Sequence, residues 1–358
     1  MSATENRLDP VTFEVLKNAF ITTVDQMAEQ VLRTCYSFVI YNRDFSSVLC
    51  DAEGNVVAQG NQDLAAHVGT LHYTCKAVIE AFEGDIHQGD MFMINDPYAG
   101  GTHFNDVRVI RPIFAGETLV AFAQSNGHWA DIGGSAPGSF DMHAREMFRE
   151  GVRITPIKIA DRGRMRTDII RMIASNTRDP GSVIGDANAQ AQATGVAERE
   201  IHRLVAKYGK DTVMAGMAEV QDYVERATRQ RIAELPDGSW EVVDFLDADP
   251  AAEEEGLIPI RVKLTIRGDE LEYDLSGSHH TIGTVYNSCF GGTFSGIVAG
   301  MKYFLPDVPL NSGFYRPLTV VSEPGSIVDA RWPVAVAGFV DVFEKIMNAV
   351  FKLWSDLV

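Results

Sequence analysis

Between Asn95 and Gly134 the chain reads NDPYAGGTHFNDVRVIRPIFAGETLVAFAQSNGHWADIGG. Five of its side chains, Asp96, His103, Asp106, His128 and Asp131, are of the types that bind divalent metal ions. Each sits in or beside a loop, where a rigid scaffold can present it to a ligand. The apolar, β-rich runs 107–114 and 118–124 are joined by Ala115-Gly116-Glu117, which is the spacing of a hairpin. A hairpin returns its ends to one place. His103 and Asp106 before it can therefore meet His128 and Asp131 after it, as two imidazoles and two carboxylates. Asp44, at a bend in NRDFSS, is a candidate further ligand. The competing reading is that Asp96 and Asp106 cap turns and that His128 stacks beside Trp129. Composition and spacing alone leave the two level.

Other chemistry-bearing residues carry less. His67, in AAHVGT, reads as a core histidine in preference to a substrate-facing one. His279-His280 reads as an exposed loop pair. Asp141, Glu146 and Glu150 could supply an acid or base, but nothing distinguishes them from surface carboxylates. GSHHTIG and CFGGTFSG match neither common nucleotide-binding loop, and no serine lies in a GxSxG elbow.

The elements that must position these residues follow from periodicity. From Pro10 to Cys35, Phe13, Leu16, Phe20, Val24, Met27 and Val31 recur at helical steps, with Asp9 as N-cap and Pro10 at the first helical position. Strands are expected over 36–41, 47–51 and 55–58. A helix is expected from about Thr70, then strands over 90–95 and 152–160. Helices are expected over 165–175, 186–208 and 211–234, and the Gln/Ala-rich stretch after Asp186 suits either helix packing or a site wall. From Pro236 the character changes to strands, over 239–246, 258–266 and 270–275, with a turn at Arg267-Gly268-Asp269 and an acidic surface loop, DADPAAEEEG. Glycine-rich and helical segments end the chain. The irregular mixture predicts an α+β fold. It divides into a site-bearing α+β core with a helical segment over 1–235 and a β-rich part with a terminal helix over 236–358.

Bulk properties narrow the class. The 358 residues are ample for a sizeable core, and 46% hydrophobic with 22% charged residues is ordinary for a globular protein. A net charge of −18 argues against nucleic acid or an anionic membrane as partner, since phosphates are repelled. No apolar run is long enough to span a bilayer, and the first residues lack the apolar centre of a secretory signal. The four cysteines show no bridge or zinc spacing and read as thiols of a reducing compartment. A cytoplasmic protein is expected.

In RDFSSVLCDAEGNVVAQG, AAHVGTL, GDMFMINDPYAGGTHFNDVRVIRPIF, GHWADIGGSAPGSF, REGVRITPIKI and NTRDPGSVIGDANAQ the chain resembles a known family. These are the B-type subunits of ATP-dependent hydantoinases and 5-oxoprolinases, related to the large subunits of acetone and acetophenone carboxylases. The resemblance implies a hetero-oligomer with an actin-like, ATP-binding A-type subunit. It also implies a divalent metal (Zn, Mn or Fe) on His103, Asp106, His128 and Asp44. Asp131 then becomes a residue orienting a histidine, and Asp131 or Glu150 a candidate general base. The activity implied is ATP-dependent hydrolysis of a cyclic amide, with ATP-dependent carboxylation of a ketone or a non-catalytic assembly role as alternatives. Family members run well beyond this length, so a truncated form, a split subunit or an incomplete product is expected.

Overall fold

The computed structural model describes residues 8–60, 63–247, 256–355 and 357. Helix α1 (Pro10–Thr34) starts where expected: Pro10 is its first residue, and the Asp9 carboxylate accepts the Val11 and Thr12 amides. Its apolar stripe, Leu16, Phe20, Val24, Met27 and Val31, is fully buried. The chain then makes a single helical turn, α2 (Phe38–Tyr41), where a strand was expected. The cause is local. The Asp186 carboxylate takes the Tyr36 and Ser37 amides, and Ser37 Oγ caps Ile40 N, so these donors are lost to any sheet.

The larger sheet contains β1 (Phe45–Asp51), β2 (Val56–Gln59), β3 (Met91–Ile94), β4 (Asp106–Ala115), β5 (Thr118–His128), β6 (Ile157–Asp161) and β7 (Arg164–Met165). Its order is β2-β1-β5-β4-β3-β6-β7, antiparallel throughout. The strand expected over 152–160 is shorter, because Asn95 ties down Ile154 N with its side chain before β6 begins. On one face Phe45, Leu49, Val107, Val109, Ala121 and Ala123 pack under α1 and α5 (Pro180–Tyr208). On the other Val48, Cys50, Ile110 and Phe122 meet α3 (Leu71–Ala81). The strands are buried on both faces, which is why they read as continuous apolar runs. The Gln/Ala-rich stretch of α5 serves packing: Ala187, Ala189, Ala193 and Ala197 are buried, and Gln190 Nε2 donates to the Val107 and Ser125 carbonyls.

Helices α4 (Thr167–Ala174) and α6 (Lys210–Ile232) complete this half. The second sheet, β8 (Gly238–Leu246), β9 (Ile258–Arg267), β10 (Glu270–Asp274) and β11 (Leu318–Val321), has the order β11-β10-β9-β8, with only β10–β11 parallel. The acidic loop before β9 falls on residues 248–255, outside the described residues. Helices α7 (Phe290–Phe304) and α9 (Phe339–Ser355) build the core under this sheet, and α8 (Ser312–Tyr315) packs against α6. The protein is an α+β fold. Helix α6 joins the halves, giving Val213 and Met217 to one core and Val224 and Ile232 to the other.

Candidate metal centre

The β4–β5 register decides the geometry. Asp106 pairs with His128, Arg108 with Asn126 and Ile110 with Gln124. On the other side of β5, Ser46 of β1 also pairs with Asn126. Side chains alternate along a strand, so these residues share one face in successive rows. The outermost row is Asp106 and His128, with Asp44 next to β1. The row beneath is Ser46, Asn126 and Arg108. Asp44 is held by the sheet itself, because its carbonyl accepts the His128 amide at 3.0 Å. The preceding Arg43 sits in the left-handed region (φ 74), which turns the chain from α2 into β1.

His103 reaches the row from a loop that only glycine can build. Gly100 is left-handed (φ 95), and a Cβ there would lie 2.2 Å from Tyr73 Cβ. From the opposite side, Gly291 of α7 approaches so closely that a Cβ would meet Gly100 O at 2.4 Å. The His103 ring packs between His128 (centroids 4.9 Å) and Phe339 of α9 (5.2 Å). Both halves of the fold therefore line the centre.

The result is two carboxylates and three imidazoles at one point. His103 Nε2 and His67 Nε2 lie 3.4 and 3.2 Å from Asp106 Oδ2. His128 Nδ1 lies 3.6 Å from both Asp106 Oδ1 and Asp44 Oδ2, and His67 Nε2 is 3.8 Å from Asp44 Oδ1. The groups His103–Asp106–His128 and Asp44–His67–Asp106 each keep their ligand atoms within 4.8 Å of one another. Ser46 Oγ lies 2.9 Å from His67 Nδ1, which leaves Nε2 facing the cluster, and Thr102 Oγ1 donates to Asp106 Oδ2. Asp106 is fully buried. Its pKa is nonetheless well below the carboxylate range: burial pushes it up, but the His67 and His103 charges and the hydrogen bonds of His103 and His128 outweigh that. Burial, with the neighbouring Asp106 charge, raises Asp44. His128 is raised against its own burial by the Asp106 hydrogen bond and the two carboxylate charges.

The donor set suits a divalent ion. Asp44 Oδ1, Asp106 Oδ1 and His103 Nδ1 are buried without a hydrogen-bond partner, a costly arrangement for an empty protein interior. Mixed N/O donors of this kind suit Zn, Mn or Fe.

Asp44, His103, Asp106 and His128 are thus brought together. His67, read from the sequence as a core histidine, belongs with them: it is 1% exposed, yet its Nε2 faces the ligands. His128 meets His103 instead of stacking on Trp129, whose indole N–H goes to Gln190. Asp131 is not in the cluster and orients no histidine. Its carboxylate takes the Gly133, Gly138 and Arg178 amides and the Arg178 guanidinium, which hold its pKa down despite burial. Glu150 is likewise elsewhere, accepting the Val336 and Ala337 amides through Oε1. Burial raises it to about 7. Asp96 caps the turn at Pro97–Ala99 and pairs with Arg153. A cavity of about 620 Å³ borders Ala65 and Val68, on either side of the His67 turn, but no cluster residue lines it. The chemistry, not this void, marks the site.

Comparison with known proteins places the chain in a family. The Hydantoinase B/oxoprolinase family model matches residues 9–358. The chain belongs to that family. Within the Hydantoinase B/oxoprolinase family it is 33% identical over 331 residues to caprolactamase subunit beta of Pseudomonas jessenii, covering 92% of this chain and 56% of that one. The crystal structure of ATP-dependent caprolactamase from Pseudomonas jessenii superimposes with a TM-score of 0.91 at 31% identity, over 98% of this chain and 61% of that chain. Nucleotide-free acetone carboxylase shares the fold, with a TM-score of 0.86 at 20% identity over 96% and 48% of the two chains. The chain spans 56% to 62% of the length of the first curated relatives it matches.

Proposed function

We propose that this chain carries the divalent-metal centre of an ATP-dependent cyclic-amide hydrolase and acts in the cytoplasm with an actin-like, ATP-binding A-type subunit. The observation that carries the reading is the convergence of Asp44, His67, His103, Asp106 and His128 with unpaired carboxylate oxygens among them. Family membership supports the B-type assignment, and the likeness to a caprolactamase subunit favours hydrolysis of a ring amide over carboxylation of a ketone. The likeness to acetone carboxylase is one of fold.

A divalent ion held by these residues would polarise a carbonyl oxygen or acidify a bound water. The protein's own groups set the rest. Ser46 fixes the His67 ring and Thr102 fixes the Asp106 carboxylate, so two of the five side chains keep their aim without solvent. Asp44 and His128 are the partly exposed members, with side chains 30% and 22% accessible, and an entering ring meets them first. Phe339 closes the opposite side of His103 and excludes water there.

Elemental analysis of the purified chain beside His103→Ala and Asp106→Ala tests the centre. About one divalent ion per chain, lost in both variants, is the expected result, and no metal in the parent after reloading overturns the reading. With an A-type partner, ATP turnover should follow ring opening of a lactam, hydantoin or 5-oxoproline. Strict dependence on bicarbonate would transfer the chain to the carboxylases.

A further inference from the structure

Arg108 lies one row beneath the candidate centre and is fully buried, yet no carboxylate pairs with it among the described residues. Its Nη1 donates to the Asp106 carbonyl at 3.2 Å and its Nη2 to Thr70 Oγ1 at 3.0 Å. Its Nε has no partner. Directly across the register stands Asn126, also fully buried, with neither Oδ1 nor Nδ2 bonded. Whichever way that amide is turned, it offers an unused donor beside an unused guanidinium donor. Three unpaired polar atoms thus lie in one row, under two carboxylates that each keep an unpaired oxygen.

The charges point the same way. A buried guanidinium needs compensation, and the carboxylate whose charge bears on Arg108 is that of Asp106. With Asp44 and Asp106 ionised, Arg108 positive and a dication held by neutral imidazoles, the loaded centre keeps one uncompensated positive charge. Without Arg108 it would be neutral. We propose that Arg108 and Asn126 make the loaded centre a receptor for an anionic oxygen group, of the carboxylate, carbonate or phosphate class, in preference to a neutral ring. This rests on the metal-centre reading above. For a ring hydrolase it means that the substrate engages the centre as an oxyanion: the phosphoryl-bearing oxygen made by an ATP-dependent partner, or a carboxylate carried on the ring. Arg108 acts through the centre's charge and is a positioning residue.

The test uses the chain loaded with Co²⁺, whose visible absorption reports its ligands, titrated separately with acetate, phosphate and bicarbonate. In the parent, at least one of these should shift the spectrum saturably, and the one that does identifies the source of the oxyanion. Arg108→Met should require at least about tenfold more anion and bind Zn²⁺ at least about tenfold more tightly in competition with a chelator dye, because a repelling charge is gone. Arg108→Lys should keep most of the anion response, and Asn126→Leu should weaken it with Zn²⁺ affinity unchanged. Metal uptake with no anion response in the parent overturns this inference alone, as does an Arg108→Met variant titrating like the parent. Absence of metal uptake in the parent overturns the centre itself. If Arg108→Met does not fold, the parent titration and the Lys and Leu variants still decide.

Discussion

His67 and Ser46 should weaken metal binding to different degrees when truncated. His67→Ala removes a nitrogen that faces the cluster, whereas Ser46→Ala removes only the partner that aims it. Loss of such an outer contact costs about 10- to 100-fold in metal affinity, and His67→Ala should cost more than Ser46→Ala by chelator competition. The sequence hid this role because apolar neighbours in AAHVGT mark His67 as buried, which it is. Burial and coordination are not alternatives when the cluster is itself inside the fold. Glu150 gives a prediction of a different kind. Its pKa rises from 4.5 to about 7 on folding, so the folded state holds the proton more tightly and favours acid conditions. That stability is fully present below about pH 4.5 and lost as pH climbs through 7, a difference on the order of 3 kcal/mol. Glu150→Gln should flatten the fall in Tm between pH 5 and pH 8. A parallel slope in variant and parent would mean that another group titrates.

Among the elements, the hairpin was legible because both strands are continuous apolar runs around a Gly-containing turn. The helices were legible because their stripes repeat at helical steps. The 36–41 segment was not, because what diverts it is Asp186, some 150 residues away. No local pattern carries a contact of that range. The approach of α7 to the His103 loop was hidden for the same reason, although GTH and CFGG both displayed their glycines. Gly291→Ala should be destabilising by about 1–3 kcal/mol, since the new methyl meets backbone at Gly100 and cannot be accommodated by a rotamer change. Denaturant unfolding measures it, and metal affinity should fall with it as the loop carrying His103 is displaced.

On the scale of the whole molecule, the candidate ligands come from β4, β5, the bend before β1, the His67 turn and the His103 loop, and Phe339 closes the cluster from the other half. The division at residue 235 follows the change of composition, while α6 contributes to both cores and the site is walled from both sides. Metal should therefore stabilise the fold as one body. Stripping the chain with a chelator should lower Tm, and restoring metal at about 1,000 times its Kd should return about 4 kcal/mol. Two thermal transitions, of which metal shifts only one, would show that the halves melt independently.

The pairing of Asp106 with His128 has a further consequence. Strand side chains alternate strictly, so a slip of one residue along the hairpin would turn Asp106 toward the helices of the opposite face, while the backbone ladder stayed equally well bonded. Circular dichroism would barely notice such an isomer. Ion uptake would fail outright. Metal loading would then serve as a proofreading assay for this chain, separating correctly threaded molecules from compact impostors.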